Sequence, residues 1–152
     1  MTKRVIGGVV FTSALCWATL AHAQIPVGTW ERTDAQGKGM IMTATKCCNG
    51  GLRLVYSIPG AQGQPATMLT VDSPMDGTEV PALLAGGKPS GQTMAIKRLD
   101  DRHYEGVVKM DGKPAGTAKS TLSADGKTIT TEGVYGTGAQ TQKVIETWIR
   151  KQ

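Results

Sequence analysis

The chain has 152 residues, with seventeen basic residues against twelve acidic ones and a formal charge of +5. Its lysines are scattered as singles, which excludes the clustered basic footprint that nucleic-acid binding requires. The length suits one domain with a core of its own.

Taken in chain order, the first segment has the layout of a secretory signal. Lys3 and Arg4 precede a mostly apolar run from Val5 to Leu20. Ala21-His22-Ala23 then offers small residues where a leader peptidase reads, so cleavage is expected between Ala23 and Gln24. The run is short of the roughly 20 residues a membrane span needs, and no second run follows. Cys16 opens a lipoprotein alternative, but Leu15 before it is not the small residue that lipid attachment uses. Residues 1–23 are therefore read as a signal peptide and residues 24–152 as a single domain. That domain keeps fifteen basic and twelve acidic residues, a balance of +3. A periplasmic or secreted location follows.

Helical periodicity is nearly absent beyond residue 23. Short β-branched and apolar runs alternate with glycine turns at "NGG" 49–51, "MDG" 75–77, "MDGK" 110–113 and "ADGK" 124–127, the punctuation of tight hairpins. Strands are predicted near 28–33, 39–47, 52–58, 66–71, 79–84, 92–99, 103–110, 114–122, 127–135 and 142–150. Pro65, Pro74 and Pro81 crowd the fourth and fifth, where proline is a poor ladder residue. The fold class is all-β: an up-and-down antiparallel meander of about 8–10 strands, closed into a barrel because closure removes exposed edges.

Alternation places Leu52, Leu54, Tyr56 and Ile58 on one face of the third strand, and Tyr104, Val108 and Met110 on one face of the seventh. Gly106, Ala118, Ser120, Thr131 and Gly133 fall at inward positions of other strands. Such small or polar side chains do not fill a barrel of this girth, so a ligand cavity is expected, a flattened and collapsed barrel being the alternative.

Cys47 and Cys48 are adjacent in "TKCCNGGL". Neighbouring side chains in a strand point to opposite faces, and their Cα atoms are closer than ordinary disulfides prefer. Two unlinked thiols are the favoured reading. A vicinal disulfide eased by the following turn and an intermolecular bond are the alternatives in an oxidising compartment. The chain is expected to be monomeric unless that intermolecular bond forms.

Gly28-x-Trp30 opens the first strand in "VGTW", and Arg150 ends the last in "KVIETWIRKQ". With the strand count, these resemble the lipocalin-like, or calycin, barrels. Residues 94–133 are similar to small secreted bacterial proteins of that type, mostly of unassigned function. The resemblance implies a barrel floor built from Gly28, Trp30 and Arg150. In a closed barrel with an even number of strands, the start of the first and the end of the last share one end, and an arginine over an indole contributes ~0.5–2 kcal/mol. The turn after the second strand returns to that end, which puts Cys47 and Cys48 near the floor. The link "DAQGK" at 34–38 is too short for a helical lid, so an open mouth is expected.

Catalytic signals are poor. His103 is the one histidine beyond residue 23, and with Asp100, Asp101 and Glu105 it reads as a hydrated hairpin; a nucleophilic triad would have to use it. Met40 and Met42 with the cysteines suggest a soft-metal site by type, but Cys47 has the opposite strand parity and Cys48 is distant. "GAQGQ" at 60–64 and "GTGAQ" at 136–140 are turns, not phosphate loops. No metal, no cofactor and no enzyme activity are expected. The reading is a non-catalytic barrel that binds a small, partly apolar molecule, with Tyr56, Ile58, Met94, Ile96, Tyr104 and Val108 lining its interior. The alternatives are a cell-envelope interaction protein without a cavity ligand, or a thiol- or metal-responsive protein using the cysteine pair.

Overall fold

A computed structural model describes residues 24–61, 64 and 66–152. The signal pattern of residues 1–23, including Cys16, lies outside the described residues, as do Pro65 and two positions of the 60–64 turn. Ten strands follow one another: β1 (Gly28–Arg32), β2 (Ile41–Cys47), β3 (Gly51–Ile58), β4 (Thr67–Ser73), β5 (Asp76–Leu84), β6 (Pro89–Arg98), β7 (His103–Met110), β8 (Lys113–Leu122), β9 (Thr128–Tyr135) and β10 (Gln142–Arg150). Each predicted strand is present, with ends displaced by no more than three residues. Sequence neighbours pair antiparallel, and β1 pairs with β10 through Trp30 opposite Arg150 and Arg32 opposite Trp148, which closes the barrel. Among the described residues no helix is long and apolar enough to cross a membrane.

The turns show why the chain reverses where it does. Between β7 and β8, Asp111 and Gly112 take φ of 49° and 75°, the paired left-handed conformation that matches strand twist and that Asp-Gly adopts cheaply. The predicted turn at "MDG" sits slightly earlier. Pro74 and Met75 make the reversal, with Met75 at φ 62° and its N–H donating 3.1 Å to Ser73 Oγ, while Asp76 and Gly77 already belong to β5. Pro81 lies inside β5 despite its missing donor. The β4–β5 ladder covers only Leu69–Val71 opposite Ala82–Leu84, so Pro81 falls beyond it, and the β5–β6 register shifts between Pro81 and Leu83. A bulge of this kind accommodates a residue that cannot donate.

One position at the inner parity is nevertheless exposed. Met110 was expected to share the inner face with Tyr104 and Val108, yet it is 44% exposed. The β6–β7 register runs unbroken from Tyr104 to Met110, so Met110 keeps the parity of Tyr104 and Val108 and is exposed because it ends the strand; the β7–β8 shift leaves its extra residue, Ala115, on β8.

The core gathers at the end where β1 begins. Trp30, Leu52 and Val71 are fully buried there, with Ile25, Leu122 and Ile129 around them. Trp30 donates its indole N–H to the Pro26 carbonyl at 3.2 Å, and Arg150 donates 2.8 Å to the Val27 carbonyl beside Gly28. Gly28, Trp30 and Arg150 thus meet at one end, and the arginine secures the chain as it enters the barrel.

Cys47 and Cys48 are bonded to each other, which corrects the favoured reading of two unlinked thiols. The opposite-face argument assumed a regular strand, but β2 ends at Cys47. Cys48 and Asn49 follow with φ of 50° and 51°, so the alternation stops between the two sulfurs. Gln24 donates 2.9 Å to the Gly50 carbonyl, and Gly51 packs against the Ser73–Pro74 backbone too closely for a side chain. The pair therefore lies beside the floor, and both sulfurs are engaged within the chain.

The outer face is charged. Lys97, Glu105, Lys119 and Glu132 stand opposite one another on β6, β7, β8 and β9. Such alternating cross-strand pairs stabilise a water-facing sheet by about 0.2–1 kcal/mol each.

Candidate functional site

The barrel interior holds a cavity of about 320 Å³ above the floor. It exists because of what β7, β8 and β9 send inward. Gly106, Ala118, Ser120 and Thr131 line it, and none reaches far enough to fill the space. The opposite wall is apolar and partly thioether, with Met42, Leu54 and Leu69, and Met94 and Ile96 on β6 continue it up to β7. Unbranched methionines make such a wall adaptable. Tyr56, Ile58, Met94, Ile96, Tyr104 and Val108, the six positions expected inside, all line this cavity. Gly133 lines no part of it. The Tyr135 ring lies over Gly116 and Gly133 and fills the room their missing side chains leave.

The two walls differ in chemistry. Tyr104, Ser120, Thr131 and Glu146 stand opposite one another across β7, β8, β9 and β10, so one row of the inner wall is polar. Ser120 and Thr131 share a hydroxyl hydrogen bond of 2.7 Å. The Glu146 carboxylate accepts from Trp148 Nε1 at 3.2 Å and from the Tyr135 hydroxyl at 3.3 Å, and Arg32 Nη1 lies 3.4 Å from it. Tyr56 meets Trp148 edge-to-face with centroids 6.1 Å apart, a preferred aromatic geometry. Burial, reinforced by Glu146, pushes the Tyr56 hydroxyl far above its ordinary range and Tyr135 up to about 12. Both therefore stay neutral hydrogen-bond donors at any physiological pH.

Arg32 is the buried hub at the mouth end of β1, 9% exposed. Its Nε and Nη2 donate to the two oxygens of Asp34 at 2.7 and 3.0 Å, a bidentate pairing that fixes the guanidinium plane. Burial by itself would lower the Arg32 pKa, but its hydrogen bond to Asp34 and the charges of Glu146 and Asp34 more than reverse that. Asp34 also accepts backbone N–H groups of Gln36, Gly37 and Thr147 at 3.1–3.2 Å. An aspartate that bonds its own chain two and three residues on shapes a tight turn. Gly37 lies so close to the Arg32 side chain that any Cβ there would collide with it. The 33–40 link is thus too short for a helical lid, as expected, but it packs down on Arg32 and covers that side of the mouth.

These contacts make a pH prediction with a definite sign. The Arg32 hydrogen bond, aided by the Thr147 and Gly37 N–H groups, holds Asp34 at about 2, below its ordinary 3.8. A depressed carboxylate contributes stability above the unfolded value and loses it as pH falls towards the folded one. Asp34→Asn is expected to cost on the order of 1–2 kcal/mol at pH 7, and the deficit should shrink between about pH 4 and pH 2. Urea unfolding across that range checks it; a pH-independent deficit would contradict the linkage.

The remaining candidates lie elsewhere. His103 is exposed, with Nδ1 2.8 Å from Asp100, on the outer face. Met40 and Met42 line the cavity, whereas the cysteines sit at the floor, so the residues of the soft-metal reading are not together. The Cys47 and Cys48 sulfurs do lie within 4.8 Å of an Asp72 carboxylate oxygen. That carboxylate is taken by Arg53 at 2.7 and 2.8 Å, and the sulfurs are taken by each other.

Arg32, Tyr135, Glu146 and Trp148 were absent from the predicted lining. A signal existed. Arg32 has the inward parity of Trp30 in "GTWER", and Glu146 has that of Trp148 in "VIETW". A charge at the inward parity of a barrel strand marks a buried polar network. No protein-family model matches this chain, and no curated protein matches it.

Proposed function

We propose that the protein is a secreted or periplasmic, non-catalytic, lipocalin-like barrel that binds a small, partly apolar molecule in its interior. The observation that carries this reading is the unfilled cavity, with an apolar wall facing a polar row of Tyr104, Ser120, Thr131 and Glu146. Its volume reaches the lower end of the range for small-molecule sites, about 300–1,000 Å³. The location rests on the leader pattern before Gln24 and on the Cys47–Cys48 bond, which suits an oxidising compartment. The non-catalytic reading rests on His103, which is exposed and paired with Asp100 at 2.8 Å on the outer face.

Ala118 stands between Gly106 and Gly133 on the inner wall, so Ala118→Phe places a ring in the empty volume. A neutral fluorescent probe, phenylnaphthylamine, is expected to bind the wild type and to lose about tenfold or more in affinity in the variant. Circular dichroism should show the barrel intact. Equal binding by a folded variant would remove the cavity as the site. Native mass spectrometry of protein from its own periplasm would then report what the cavity carries.

A further inference from the structure

We infer that the cavity selects an apolar molecule bearing a cationic amine, held at Glu146, and discriminates against one bearing a carboxylate. This rests on the binding reading above and narrows it to a ligand class.

Charge balance points there first. Arg32 is the one cation among the described residues that line the cavity, and it is already spent. Asp34 takes two of its nitrogens in the bidentate pair, and the third, Nη1, is shared between Glu146 at 3.4 Å and Met40 Sδ at 3.7 Å. One guanidinium thus serves two carboxylates, and a negative charge is left on the lumen side. An anionic ligand would enter this field with no free cation to meet it. An ammonium group would complete it.

The satisfaction of Glu146 points the same way. Its three neighbours stand at 3.2, 3.3 and 3.4 Å, at or beyond the long end of ordinary hydrogen bonds. A carboxylate offers about four lone-pair sites, so Glu146 has capacity for a shorter, charge-assisted bond. The rings around it are those a cation prefers. Trp148 and Tyr135 donate to Glu146 directly, and Tyr56 packs on Trp148. Aromatic faces beside a carboxylate are the usual surroundings of a bound organic ammonium.

A second polar group is also without a protein partner. Tyr104 lines the cavity, but its hydroxyl is buried behind that surface beside the Ile25 backbone, and among the described residues no group meets it in hydrogen-bonding geometry. A buried hydroxyl left unpaired costs free energy unless a water or ligand supplies the bond. Tyr104 and Glu146 end the same polar row, while Met42, Leu54 and Leu69 on β2, β3 and β4 face it across the cavity. The ligand is therefore an amine with a compact aromatic or branched body.

Three probes of one shape separate the possibilities: phenylbutylamine, phenylbutanol and phenylbutyrate, titrated calorimetrically into the wild type, Glu146→Gln and Ala118→Phe. The amine should bind the wild type about tenfold or more tighter than the carboxylate. Glu146→Gln should erase most of that preference by weakening the amine far more than the neutral alcohol, and Ala118→Phe should weaken all three. Equal or tighter binding of the carboxylate by the wild type overturns the inference, as does a preference that survives in folded Glu146→Gln. If Glu146→Gln does not fold, the wild-type order of amine over carboxylate decides. Should the alcohol bind and Ala118→Phe block it without any charge preference, only the ligand class is wrong. Should none of the three bind, the binding reading itself fails.

Discussion

Trp30→Ala is expected to lower the unfolding free energy by about 3–5 kcal/mol, the range for truncating a large aromatic in a closed core. Trp30 has no exposed surface, and its indole N–H reaches the Pro26 carbonyl at 3.2 Å. Its strand neighbours are Met42 on β2 and Arg150 on β10, so it sits at the seam where the first and last strands close the barrel. Ile25 and Leu52 pack in the same cluster, and residues 24–27 turn across the floor with it. Truncation therefore leaves a void and loosens the closing seam together. Trp30→Phe retains most of the packing but leaves the Pro26 carbonyl without its donor, and should cost about 1–3 kcal/mol. Urea unfolding followed by circular dichroism measures both. A loss below about 1 kcal/mol for Trp30→Ala would mean that the floor is not part of the cooperative core.

Arg32→Met is the second large effect, expected at about 3–5 kcal/mol at neutral pH, because removing one member of a buried ion cluster strands its partners. Methionine keeps much of the stem that packs on Gly37, so the loss reports charge more than volume. Without the guanidinium, Asp34 keeps its three backbone donors but loses the bidentate partner, and Glu146 keeps only Tyr135 and Trp148. Two carboxylates then share a site with no cation. Neutralising Asp34 in the same chain should return part of the loss. In a double-mutant cycle, Arg32→Met with Asp34→Asn should show coupling of about 1–3 kcal/mol. The Arg32→Met deficit should also shrink as pH falls below about 4, since the wild type then loses its depressed carboxylate while the variant sheds repulsion. Additive single-variant effects would show that the pair is a surface contact of little worth.

The strand periods in this chain were readable because each depends on neighbours in sequence. Leu52, Leu54 and Tyr56 alternate towards the interior, and Asp111-Gly112 reverses the chain at the predicted place. Where reading by period failed, a residue in the ladder carried the reason. Met110 kept the inner parity but stands exposed where the strand ends, and Cys48 left the strand altogether through a left-handed backbone. A bulge or a strand end is decided by the partner strand and the turn beyond it, and alternation within one strand does not encode either.

The meeting of Gly28, Trp30 and Arg150 at one end was implied by the lipocalin-like resemblance and needs closure; by itself the sequence determined an all-β chain of about 8–10 strands with an interior lined on one side by glycine, alanine, serine and threonine. These are matters of local turn chemistry and two-residue periodicity, which a single strand carries with it. Only the tertiary structure decided that Arg32 on β1, Glu146 and Trp148 on β10 and Tyr135 on β9 form one charged corner of the cavity, that a short link packs over it, and that the Tyr104 hydroxyl is buried without a partner among the described residues. The physical reason is closure. Arg32 and Glu146 are joined by the β1–β10 seam, the longest separation in the chain, and their charges interact only because the first and last strands meet.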